Sequence, residues 1–150
     1  MRLAAALLER ANLQNKIADL SERLENNARV QEDEEPAEDP RELLAELEAT
    51  INALEVIMGK INLVNSKTVV DGVTLTELLA KRDCLHIKVN KMRRFLSEAS
   101  NLVGRYSKTE ILVKSTVKVK KLQKEVDKYA KELRELDEKI QEINWTTDFE

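Results

Sequence analysis

A stripe of apolar residues spaced alternately three and four apart runs unbroken through the end of the chain: Val119, Leu122, Val126, Tyr129, Leu133, Leu136, Ile140 and Ile143. That spacing puts every member on one face of a helix and makes a heptad seam. A long helix gains most of its stability by packing such a face, so it needs a partner. Three earlier segments carry stripes of the same kind, and the partners are therefore expected within the chain.

The first of these segments predicts a helix over about residues 2–27. Leu3, Ala6, Leu13, Ile17, Leu20 and Leu24 form its seam, with Arg10 at one seam position. Asn26 and Asn27 suit the left-handed geometry that often closes a helix. An acidic stretch over 31–40 follows and is expected to be solvated. Asp39 then Pro40 is a start signal, a capping side chain before a residue whose missing N–H costs nothing in the first turn.

Helix two is expected over about 40–65. Its seam is Leu44, Leu47, Ile51, Leu54, Met58 and Ile61, widened by Leu43, Ile57 and Val64. Between 68 and 74, β-branched residues flank Asp71-Gly72, a hairpin signal. Thr74 and Glu77 have the spacing of a capping box for helix three. That helix reaches about Val103 with Leu78, Leu85, Val89, Met92, Leu96, Ala99 and Val103 in register, Arg82 at a seam position and Gly104 as terminator. Residues 106–114 read as extended around Ile111, Leu112 and Val113. Ser115 or Thr116 is then placed to cap helix four, expected to end near Asn144.

With 150 residues, 42% of them apolar and 35% charged, and only three Gly and two Pro, the chain suits one domain over 1–150 built of long amphipathic helices. The expected fold is all-α: four long antiparallel helices in a coiled-coil-like bundle, with a small β-hairpin at one helix–helix connection. An up-down-up-down order puts the loop 31–40 and the segment 105–124 at one end and the hairpin at the other. Cys84 is the sole cysteine, so no internal disulfide forms, which fits a reducing compartment. The apolar opening run stops at Glu9-Arg10, unlike a signal peptide, and no run approaches the roughly 20 residues of a spanning helix. A soluble, cytoplasmic protein is expected.

The net charge of −3 conceals a division. Residues 1–75 carry 8 basic and 15 acidic side chains, residues 76–125 carry 13 and 5, and residues 126–150 carry 4 and 8. Such polarity governs what touches what.

Several stretches together resemble a family of small bacterial all-helical proteins of uncharacterised function, some of which bear the label septicolysin. They are Leu8-Glu9-Arg10-Ala11, Asn26-Asn27-Ala28, Gln31-Glu32, Glu35-Pro36-Ala37-Glu38-Asp39-Pro40, Asp71-Gly72, Leu75-Thr76, Arg82-Asp83, Arg105-Tyr106-Ser107 and Asn144-Trp145-Thr146-Thr147. They span nearly the whole chain. The resemblance supplies no catalytic residues; the label implies a lytic activity.

No chemistry-bearing constellation stands out. Di-iron bundles use Glu-x-x-His pairs, whereas the chain has one histidine, His86, whose nearest approach to that spacing is Asp83-x-x-His86. Cys84 and His86, two apart on a helix, point in different directions. No serine elbow or phosphate-cradling glycine loop is present. The expectation is no enzyme, no cofactor, no metal and no small-molecule substrate.

The candidate residues are instead interaction residues. Arg105, Lys114, Lys118, Lys120 and Lys121 make a basic segment, and the last three crowd the start of helix four, where the helix dipole disfavours cations. An anionic neighbour would relieve that cost: the acidic loop, in the same chain or a second copy, or nucleic acid, helped by Lys88, Lys91, Arg93 and Arg94. Arg10 and Arg82 at seam positions either snorkel to solvent or meet a carboxylate; Asp83 and Glu9, their sequence neighbours, are not automatic partners. Trp145 and Phe149 lie past the expected end of helix four, where Trp145 either caps the bundle or anchors a partner. The first helix has too much acid on its polar face to favour anionic lipid.

The expected role is a structural or interaction module that self-associates. The competing readings are a nucleic-acid-associated protein using the basic 81–124 region and a membrane-active protein without stable membrane insertion.

Overall fold

The structure, a computed structural model, describes residues 1–102 and 112–150. It is all-α with four helices and one small hairpin: α1 (Leu3–Asn26), α2 (Pro40–Lys67), β1 (Val69–Val70), β2 (Val73–Thr74), α3 (Leu75–Ser100) and α4 (Val119–Thr146). The expected terminator Gly104, the seam residue Val103, Arg105, Tyr106 and the extended residues 106–111 fall outside the described residues. Among residues 112–116 no strand forms. Contacts divide the chain into two compact units, Met1–Thr74 with Glu142–Glu150, and Leu75–Gln141. No described helix is long and apolar enough to cross a membrane.

In the first unit α1 and α2 run antiparallel: Arg23 pairs with Glu38 just ahead of α2, and the earlier Lys16 pairs with the later Glu46 (3.1 Å). Leu3, Ala6 and Leu20 are buried, and Leu13, Ile17 and Leu24 half-buried, so the expected seam of α1 is its core face. Each fully buried Leu contributes about 2 kcal/mol by leaving water.

On α2 the core face is only part of the expected stripe. Leu43, Leu47, Thr50, Leu54, Ile57, Ile61 and Val64 are the buried and half-buried series, whereas Leu44, Ile51 and Met58 are exposed. Leu47, Leu54 and Ile61 belong to the expected seam, but the row beside them is Leu43, Thr50, Ile57 and Val64, one residue away from Leu44, Ile51 and Met58. A polar residue sits in the winning series because the Thr50 hydroxyl donates to the Glu46 carbonyl at 2.8 Å, which satisfies it without a tertiary partner.

The turn after α1 also closes differently from the expectation. Asn27 has φ −109° and ψ 12°, not a left-handed conformation. Its side chain ends the helix instead: Nδ2 donates to the Arg23 carbonyl at 2.8 Å, and Oδ1 accepts from the Glu38 N–H at 3.0 Å. Arg23 forks onto Glu38, Nε to Oε2 at 3.0 Å and Nη2 to Oε1 at 2.5 Å. The guanidinium beside it holds the Glu38 carboxyl below its ordinary pKa. The acidic loop is thus tied back at Glu38, while residues 31–35 are exposed as expected. Asp39 caps α2 by accepting from the Arg41 N–H at 2.9 Å, with Pro40 in the first turn.

The hairpin forms where Asp71-Gly72 places it, pairing Val69 with Thr74 and Val70 with Val73. Asp71 (φ 53°) and Gly72 (φ 80°) both take the left-handed region that a type I′ turn requires.

The remaining part of this unit had no sequence signal. The Leu3 N–H donates to the Thr147 carbonyl at 2.9 Å and the Phe149 N–H to the Met1 carbonyl at 2.8 Å, a single antiparallel bridge. Arg2 adds an ion pair with Asp148. The first orphan donor of α1 is therefore satisfied by the segment after α4. Phe149 is only 7% exposed, whereas Trp145, inside the last turn of α4 rather than past its end, is 58% exposed. Phe149, not Trp145, closes this end.

In the second unit α3 and α4 run antiparallel, joined by Lys81 to Glu132 (3.6 Å) and by Lys88 over the Tyr129 ring (3.5 Å). The seams of both match the expectation: Leu78, Leu85, Val89 and Leu96 on α3, and Val126, Leu133, Leu136 and Ile140 on α4, are buried. Helix α4 starts at Val119, later than a Ser115 or Thr116 cap implies. The Ser115 hydroxyl accepts from the Val117 N–H at 3.4 Å and shapes a turn ahead of the helix instead. Helix α3 ends at Ser100, whose hydroxyl donates to the Leu96 carbonyl.

Three outcomes are expected. A Cβ at Gly72 would meet nothing within 4 Å, so Gly72→Ala should cost about 1 kcal/mol in denaturant unfolding from backbone conformation alone. Phe149→Ala should cost about 3 kcal/mol and Trp145→Ala less than about 0.5 kcal/mol in the same measurement. A carboxyl whose pKa falls on folding stabilises above its unfolded pKa and loses that contribution as pH drops. Glu38→Gln should therefore lower the Tm at neutral pH, and its Tm should fall less than that of the parent protein below roughly pH 4.

Candidate interaction surfaces

The described side chains among those singled out by the sequence lie in different environments. Arg82 is half-buried on α3; its Nε lies 3.9 Å from Asp137 of α4 and its Nη2 3.3 Å from Asp83. The seam arginine thus meets a carboxylate across the helix pair, and Asp83, expected to project elsewhere, is a second partner. The Asp137 carboxylate also lies 3.9 Å from His86 Nε2, too far for a hydrogen bond. Arg10, half-buried on α1, makes no ion pair among the described residues. The two seam arginines are unlike.

The basic segment is partly outside the described residues, where Arg105 falls. Lys114, Lys118, Lys120 and Lys121 are exposed and form no ion pair among the described residues. The first turn of α4 holds no acidic residue, so the cost of cations near the positive helix end stands. Lys120, Lys124 and Lys128 follow at four-residue spacing and, with Lys121, line one exposed face of α4. In the first unit Glu32, Asp33, Glu34 and Glu35 are likewise exposed and form no ion pair among the described residues.

Cys84 is exposed. Among the described residues no three His, Cys, Asp or Glu side chains converge as metal ligands would. The first unit has an open groove of about 510 Å³ lined by Met1, Glu9, Val56, Ile57, Lys60 and Phe149. Its apolar floor carries one carboxylate and one ammonium, without a nucleophile or base beside them.

The surface missed by sequence reading is the exposed row Leu44, Ile51 and Met58. The available signal was the second heptad series on α2, starting at Leu43, which Thr50 interrupts and which the all-apolar series therefore outranked.

The whole chain is similar in fold and sequence to a functionally unknown conserved protein from Corynebacterium diphtheriae known from a crystal structure: TM-score 0.95, 36% identity, covering 100% of this chain and 99% of that one. No curated protein matches the chain. Residues 10–149 match a family of unknown function, DUF6847, and the chain belongs to that family.

Proposed function

We propose that the chain is a non-enzymatic interaction module that acts by self-association. The observation that carries this reading is the sorting of unpaired charge: Glu32 to Glu35 in the first unit, and Lys118, Lys120, Lys121 and Lys124 in the second, are exposed and form no ion pair among the described residues. A second copy supplies the opposite charge to each set. Complementary patches of this kind steer association and fix partner choice.

A second reading is favoured by the lysine face of α4 alone, which has the even spacing suited to a polyanion backbone. In that reading the chain is nucleic-acid-associated and binding is strongly salt-dependent.

One chromatographic experiment with light scattering tests both, run at about 50 and 500 mM salt with absorbance recorded at 260 and 280 nm. Self-association should give a mass above the 17.2 kDa of one chain, falling at high salt, with the absorbance ratio of protein alone. A monomer at both salts overturns it. Co-eluting nucleic acid, lost when Lys118, Lys120 and Lys121 become Gln, replaces it with the second reading.

A further inference from the structure

The row on α2 that the core leaves out has its own regularity. Leu44, Ile51 and Met58 are seven residues apart, so they lie almost in line along the helix, and they stay 44, 45 and 40% exposed. Apolar side chains exposed singly are ordinary, whereas three in a row on one helix face make a continuous apolar strip. Its outer edge is acidic. Glu48 and Glu55 follow Leu44 and Ile51 by four residues, are exposed, and form no ion pair among the described residues.

The outward face of α3 has the complementary composition. Ile87 and Phe95 are 59 and 50% exposed. Lys91 lies four residues from each of them and Arg94 seven from Ile87, so all four share a face. Both cations are exposed and form no ion pair among the described residues. Ile51 and Met58 are about 10 Å apart along their axis and Ile87 and Phe95 about 12 Å along theirs, at about 1.5 Å per residue. The two apolar pairs therefore match in span, and their flanking charges are opposite.

We propose that the α2 face of one copy docks on the α3 face of a second copy. Ile51 and Met58 cover Ile87 and Phe95, with Glu48 and Glu55 beside Lys91 and Arg94. The proposal rests on the self-association reading and adds to its steering charges the apolar surface on which two copies dock. Pairing α2 with α2 would bring the Glu48 and Glu55 edges of two copies together, and like charge at a contact is a strong discriminator against it. Pairing α2 with α3 uses two different patches. In a docked pair one copy keeps its α3 face free and the other its α2 face, and assembly ends in a ring or continues as a chain.

The test is a charge exchange read by light scattering across a concentration series. Two double variants are made, Glu48→Lys with Glu55→Lys, and Lys91→Glu with Arg94→Glu, all at exposed helical positions that leave both cores untouched. Each alone should weaken self-association about tenfold or more, and mixing the two should restore mixed assembly to near the parent level. Ile51→Glu with Met58→Glu should abolish association while circular dichroism shows the helices retained. Parent-like assembly of both charge variants overturns this surface and leaves self-association standing. A monomeric parent protein overturns the self-association reading itself, and this surface with it.

Discussion

Which of the two heptad series on α2 faces α1 decides the first unit and what it leaves for others. The series share Leu47, Leu54 and Ile61 and differ in one row by one residue, about 100° around the helix, so only one row occupies the interface. The row with Thr50 wins because its hydroxyl is satisfied by the backbone one turn earlier and because Leu43 and Ile57 give it two buried aliphatic anchors. The losing row is entirely apolar, and its exposure follows directly from that choice.

Charge works on a second level. The ion pairs that form are mainly cross-helix or anchoring contacts, such as Lys16 with Glu46, Lys81 with Glu132 and Arg23 with Glu38. Exposed pairs of this sort contribute little stability each, but they agree with one antiparallel register in each helix pair. The charges left over are segregated by unit. Cations concentrate where α4 begins, and carboxylates concentrate on the loop ahead of α2.

The helices were legible because a seam of three-and-four spacing has one structural solution, as α4 shows over eight consecutive members. The hairpin was legible because Asp71-Gly72 meets a backbone demand that few residue pairs meet. The face of α2 was misread because counting apolar residues cannot detect that a threonine closes its own hydrogen bond. The end of α1 was misread for a related reason: Asn27 was weighed for its backbone tolerance, and its side chain does the closing. The bridge between Arg2 and Asp148 was beyond reach, since it is made by backbone groups that every residue carries. At the candidate surfaces the residue types were legible, but their pairing was not. Arg10 and Arg82 look alike in sequence and differ because Asp137 and Asp83 lie within reach of Arg82.

That terminal bridge has a consequence for synthesis. Arg2 and Thr146 are in hydrogen-bonded contact although 144 positions separate them. The α1–α2 hairpin is made of neighbouring segments, so its helices have each other long before residues 147–149 emerge. Its opening turn does not have its partner until residues 147–149 have been made. Between those moments the nascent first unit carries an uncapped helix start and an unfilled apolar place for Phe149. The order in which the ribosome delivers the chain thus delays completion of its first helix until residues 147–149 emerge, and loop closure over that span is intrinsically slow.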